Sequence, residues 1–184
     1  MGSVRTGIAT ISLLLAALAA PARLEASPAD EVRAAFLYNF GKFVVWPRAA
    51  FGRSTLFVIG VLGDDPVFEA LLRTVRDKPL GDRRIEVRRF ARAIDARGAQ
   101  ILYLGAGARD DLAGVLAALD GASVLTVSEI DGFAGRGGMI GLVLDGSRYR
   151  FEVNLGAVER AGLKMSSQLL KLARRVIAPR ARSL

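Results

Sequence analysis

The 184-residue chain contains no cysteine and no histidine. Those two absences exclude thiol nucleophiles, Ser-His-Asp triads, imidazole general bases, thiolate metal sites and ordinary zinc sites. Carboxylate metal sites and lysine or tyrosine chemistry survive the exclusion. There is no internal repeat, low-complexity tract or linker. Beyond residue 26 no apolar run reaches the roughly 20 residues that a membrane-spanning helix needs. Tryptophan occurs once, and no stacking aromatics accompany the basic residues of the C-terminal end, which argues against nucleic acid as a partner.

The one long apolar run lies at the start. Arg5 is followed by a nearly all-apolar stretch, Ile8 to Ala20, and by small residues at Ala20-Pro21-Ala22. This is the layout of a secretory signal peptide, with cleavage expected after Ala22 or after Ala26. A retained membrane-anchoring helix is the competing reading. An exported chain of about 158 residues then remains, 27–184, enough for a single domain that buries most of its apolar surface. Without cysteine it must rely on that core rather than on disulfides.

The formal net charge is +8, and it is concentrated. From Arg160 onward seven basic residues and no acidic one occur: Arg160, Lys164, Lys171, Arg174, Arg175, Arg180 and Arg182. Residues 27–159 are neutral in sum. A basic end of this kind points to an acidic partner, a membrane surface or solubility.

Residues 31–47, EVRAAFLYNFGKFVVWP, place Val32, Phe36, Phe40 and Phe43/Val44 at helical spacing, with Tyr38, Asn39 and Lys42 as polar interruptions. Ser27-Pro28 with Asp30 and Glu31 predicts a helix start, and Pro47 its end. Thr55–Leu62 reads as a strand covered on both faces, and Asp65-Pro66 as a cap leading into a helix to about Val75. Arg84–Phe90 reads as an edge strand. Ile101–Leu104 and Ser123–Val127 read as buried strands on either side of a helix over 110–119. Met139–Leu144 and Arg148–Asn154 are joined by Asp145-Gly146, a strong hairpin signal. A final helix is expected over 166–176. The sum is an α/β sandwich with a mixed sheet of about six strands flanked by helices, closing on a hairpin and then a helix.

Each cluster that resembles a catalytic or binding motif has a plainer structural reading. Gly105-Ala106-Gly107 follows a strand as a phosphate loop would, but Asp110 occupies the place of the third glycine, and an ordinary loop with an aspartate cap is favoured. Asp64-Asp65 and Asp110-Asp111 suit helix N-termini better than a cation site without a third ligand. Gly132–Gly141, with Arg136, reads either as an anion nest or as a loop that needs glycine's conformational freedom. In the hairpin Tyr149, Phe151 and Val153 share one face and Arg148, Arg150, Glu152 and Asn154 the other. That stripe runs on to Lys164, Ser166 and Ser167. It reads equally as a partner surface or as a solvated face with Asn154 and the serines capping helices. A pocket between the opening helix and this stripe would suit a small-molecule sensing domain.

Four stretches, AAFLYNFGKFVVWP, GVLGDDP, VLTVSEIDGFAGRGGMI and FEVNLGAVERAGLKMSSQLLKLA, together resemble the YfiR family of periplasmic proteins in order and across the mature chain. The resemblance implies a non-enzymatic periplasmic regulator without a cofactor. The family's namesake represses an inner-membrane diguanylate cyclase by binding its periplasmic sensor domain, is sequestered by an outer-membrane lipoprotein, and forms dimers. Its output is the cytoplasmic level of cyclic di-GMP. The resemblance implies partner-binding residues at Glu152, Asn154, Lys164 and Ser166, with Asn39 and Lys42 extending that surface. The namesake's disulfides have no counterpart: Ala99, Gly132 and Gly141 stand in those regions, which excludes thiol-based redox control.

Overall fold

Ser27 opens the first helix through a reciprocal cap. Its hydroxyl accepts the Asp30 N–H at 3.3 Å, and its own N–H donates to the Asp30 carboxylate at 2.6 Å. Pro28 follows at a first-turn position, where its missing N–H costs nothing. The computed structural model describes residues 26–179. The expected signal peptide with its Ala22 cleavage point, and Arg180 and Arg182 of the basic tail, lie outside the described residues.

In chain order the elements are α1 (Pro28–Phe43), β1 (Val44–Val45), β2 (Leu56–Leu62), α2 (Val67–Thr74), β3 (Pro79–Leu80), β4 (Arg83–Phe90), β5 (Ile101–Leu104) and α3 (Leu112–Ala118). There follow β6 (Leu125–Ser128), β7 (Ile140–Asp145), β8 (Arg148–Asn154), α4 (Leu155–Arg160), β9 (Lys164–Met165), α5 (Ser167–Leu172) and β10 (Arg175–Ile177). Eight strands form a mixed sheet in the order β10-β8-β7-β6-β5-β2-β4-β3, and β1 with β9 makes a separate antiparallel pair. Strands β4, β2, β5, β6 and β7 run parallel, while the β7–β8 hairpin and the β3–β4 pair are antiparallel.

The α/β class and the mixed sheet with flanking helices are those expected, but three details differ. The first helix stops at Phe43, because the β-branched Val44 and Val45 turn extended and pair with Met165 and Lys164. β4 is paired on its outer side only at Arg83 and Arg84, by the two-residue β3, and runs as the expected edge strand over Ile85–Phe90. The last helix ends at Leu172, and Arg175–Ile177 adds a strand beside β8. Of the two aspartate caps, Asp65 accepts the Val67 N–H at 3.0 Å, whereas Asp111 precedes α3 without a side-chain cap bond.

Side-chain alternation gives the sheet two cores. On one face Phe57, Ile59, Ile101, Tyr103, Leu125, Ile140, Phe151 and Val153 pack beneath α1, α2, α4 and α5. On the other, Leu102, Leu104 and Phe133 pack with Leu112, Leu119 and Ile130 around α3 and the loops. The buried face of α1 is Asp30, Ala34, Leu37 and Phe40. Val32, expected to be part of it, is 41% exposed, because sheet and α2 together rotate the contact stripe toward Ala34 and Leu37. Phe40 stacks edge-on against Phe151 at 5.3 Å between centroids, and Phe36 does so at 6.1 Å. Burial of one such ring is worth about 1.5–3 kcal/mol.

One buried polar side chain stitches the layers. Gln100 accepts the Val58 N–H through Oε1 at 2.7 Å and donates Nε2 to the Ala50 carbonyl at 2.9 Å. Its backbone carbonyl accepts the Trp46 indole N–H at 3.0 Å.

Candidate partner-binding site

The six residues singled out for a partner do not form one patch; the sheet divides them. Phe151 faces α1, so alternation turns its neighbours Glu152 and Asn154 to the opposite face of β8. Asn39 and Lys42 lie on α1, and Lys164 and Ser166 lie where β9 enters α5.

The second group is continuous. The Ser166 N–H donates to the Phe43 carbonyl at 2.9 Å, and Lys164 is registered opposite Val45. The end of α1, β1 and β9 therefore bring Asn39, Lys42 and Lys164 to one exposed end of the domain. The Lys42 ammonium sits 4.2 Å from the Tyr38 ring centroid, and Lys78 approaches the same ring at 5.4 Å. Both are cation–π contacts that leave the charge open to solvent. Val45, 63% exposed, is registered opposite Lys164. Ser166 itself is occupied, as its hydroxyl caps α5 by accepting the Leu169 N–H at 3.2 Å.

Glu152 and Asn154 have structural employment. Glu152 is ion-paired with Arg175 of β10 at 2.8 Å, and only 15% of its side chain is exposed. It is therefore not the freely exposed residue that a solvated stripe implies. The cause is β10, which adds beside β8 with Arg175 registered on Glu152. Asn154 caps α4 by accepting the Ala157 N–H at 3.0 Å and donates Nδ2 to the Ala134 carbonyl at 2.8 Å. Among the described residues α1 meets the apolar face of β8 rather than the stripe, and the rings of Phe36, Phe40 and Phe151 pack together there.

The glycine-rich stretch folds around Phe133, which is 1% exposed. The N–H groups of Arg136 and Gly138 turn inward to the Phe133 carbonyl at 3.2 and 3.0 Å. A Cβ on Gly138 would sit 2.2 Å from the Phe133 ring, so glycine here permits a close approach. Amides consumed in this way are not free to cradle an anion.

A polar network at the carboxyl ends of β5 and β6 escaped the sequence reading. Arg33 of α1 pairs with Asp30 at 2.7 Å, is in ion-pair contact with Glu129, and donates to the Tyr103 hydroxyl at 3.3 Å. The Tyr149 hydroxyl donates to Glu129 at 3.3 Å. Asp30 Oδ1, buried and without a well-aligned hydrogen bond, is held by the Arg33 charge alone. Burial disfavours the Arg33 cation, but the Tyr103 bond and the charges of Glu129 and Asp30 outweigh it and keep the guanidinium charged. Burial, reinforced by the carboxylate of Asp65, pushes the Tyr103 phenol above its ordinary range. Burial likewise raises the Asp65 carboxyl, against the Val67 N–H and the Arg33 charge. The i,i+3 spacing of Asp30 and Arg33 was the one available signal; Tyr103 and Glu129 are joined to it only by the fold.

Compared with known families, residues 30–174 match the family described as YfiR/HmsC-like. The match covers most of the chain, and the chain belongs to this family. Membership supports a non-enzymatic regulatory role.

Proposed function

We propose that this member of the YfiR/HmsC-like family is a periplasmic regulator that binds an inner-membrane signalling protein, a diguanylate cyclase, and holds it inactive. Family membership supports the regulatory role. The observation that carries the binding reading is the exposed end where Asn39, Lys42, Val45 and Lys164 come together. An exposed valine registered opposite an exposed lysine suits a partner surface with an apolar contact and an acidic rim. The sensor domain of the cyclase is that partner. Glu152 and Asn154 support the surface indirectly, by fixing β10 and α4. An outer-membrane lipoprotein competing for the same end would release the cyclase, and a homodimer would leave it open on both copies.

Repression in this scheme is a population shift. The regulator binds the inactive sensor conformation more tightly than the active one, and each factor of ten in preference corresponds to about 1.4 kcal/mol. Deletion of the gene then raises cyclic di-GMP and biofilm formation, measured by mass spectrometry of cell extracts and by surface attachment. Unchanged levels in the deletion strain would refute the cyclase as target.

A further inference from the structure

The β7–β8 hairpin projects beyond the end of its neighbour. β6 pairs with β7 only at Val127–Ile140 and Ser128–Gly141, then turns away at Glu129. Among the described residues no strand pairs with β7 on that side past Gly141. The direction of the backbone groups there can be derived. The Asn154 N–H donates to the Met139 carbonyl at 2.8 Å, so Met139, Gly141, Val143 and Asp145 address β8. Leu144 therefore points its N–H and C=O away from β8, into the open side. The hairpin is held rigid by a two-residue turn with Gly146 at φ 61, as a tight turn of this kind requires.

This open edge borders a cleft of about 410 Å³ between β7 and the loop that starts at Glu129, with Phe133, Asp131, Tyr149 and Arg175 also on its walls. The volume lies within the range of ordinary ligand sites. Leu144 is 61% exposed at its mouth. Of the lining carboxylates Glu129 and Glu152 are closely paired, whereas Asp131, 96% exposed, has only a long ion pair with Arg109 at 3.9 Å. Unpaired strand groups, an exposed leucine and a largely exposed, weakly paired acid together specify an extended peptide with an apolar residue and a lysine or arginine.

We propose that the edge of β7 at Leu144 is a strand-addition site for an extended, basic segment of the membrane partner's periplasmic domain. The proposal rests on the regulator reading above and supplies it with a second contact, distinct from the Lys42–Lys164 end. Main-chain hydrogen bonds from Leu144 would give affinity, and the leucine and Asp131 would select the sequence. A protein that leaves such an edge bare risks self-association, which makes a second copy of the chain the competing occupant.

Leu144→Pro is the selective test, because the lost N–H faces outward and no β7–β8 bond is removed. Full-length protein carrying it should keep its circular dichroism spectrum and melting temperature and capture the membrane partner at least tenfold more weakly. A second variant, Leu144→benzoylphenylalanine, irradiated in living cells of the source organism, should crosslink to one extended segment of a membrane protein's periplasmic domain. The same substitution at Lys42 and Lys164 reports the other end. Adducts from Lys42 or Lys164 but none from Leu144, with Leu144→Pro binding at wild-type strength, overturn the strand-addition site and leave the regulator reading standing. Adducts from Leu144 to a second copy of the chain overturn the partner as occupant. No adduct from any position, with cyclic di-GMP unchanged on gene deletion, overturns both.

Discussion

The two ends of α1 carry similar side chains to opposite fates. At its start Asp30 and Arg33 are taken into the domain, 2% and 13% exposed at their side chains, and tied to Glu129 and, through Arg33, to Tyr103. At its end Asn39 and Lys42 stay in solvent, and Lys42 meets only the face of Tyr38. Both pairs are i,i+3 on one helix. The difference arises from what lies beneath each turn: polar groups at the carboxyl ends of β5 and β6 in one case, the apolar side chains of Leu80 and Phe57 against Gly41 in the other. Charge that has partners belongs to the fold, and charge that has none is free for recognition.

The comparison breaks most visibly at Arg33. Arg33→Ala leaves Asp30 and Glu129 buried or half-buried without their cation, and loss of a partner from such a cluster costs about 3 kcal/mol. Thermal melting should show a drop of many degrees. A variant that melts like the wild type would mean that the network is incidental.

At the opposite end the expected effect is on binding. Lys42→Glu and Lys164→Glu should each leave the melting temperature unchanged and weaken the membrane partner about tenfold, or ~1.4 kcal/mol, by pull-down or interferometry. Glu152→Ala should act the other way, lowering stability through Arg175 and β10 while altering partner affinity less than Lys164→Glu does.

Tyr103 sharpens the contrast through pH. Its folded-state pKa is raised above the ordinary phenol value of 10.0. The unfolded chain therefore loses that proton first, and stability present below pH 10 declines as pH rises above it. Tyr103→Phe should show a flatter alkaline limb in denaturant titrations between pH 9 and 11 than the wild type.

The smallest effect is expected from an exposed pair that bridges α1 and α2. Glu31 and Arg73, each nearly half exposed, meet at 2.5 Å. Glu31→Ala should change stability by about 0–1 kcal/mol, and less as salt rises. A larger loss would show that solvent exposure is not what separates the two ends of α1.

Much of this domain was legible beforehand. Ser27-Pro28 predicted the start of α1, Asp145-Gly146 the hairpin, and the buried runs at 55–62 and 101–104 the central strands, because each signal is local. Asn154 and Ser166 as helix caps were legible for the same reason. What was not legible depended on distant pairing. Val44–Val45 continues a helical pattern until Lys164–Met165 arrives to pair with it. Residues 173–176 read as the end of a helix until β8 offers an edge at Arg175. The candidate site divided for this reason: alternation along β8 was readable, but which layer α1 would cover was not.

By itself the sequence determined the α/β class, the exclusion of thiol and imidazole chemistry, and the caps and turns. These follow from residue type and near-neighbour spacing, which act without knowledge of the rest of the chain. Only the tertiary structure decided that Glu152 belongs to Arg175, that Asp30 and Arg33 serve a network with Glu129 and Tyr103, and that Lys42 and Lys164 share an end. Those outcomes depend on which surfaces meet when the two cores close on the sheet, and burial then separates charges that are paired from charges left to bind.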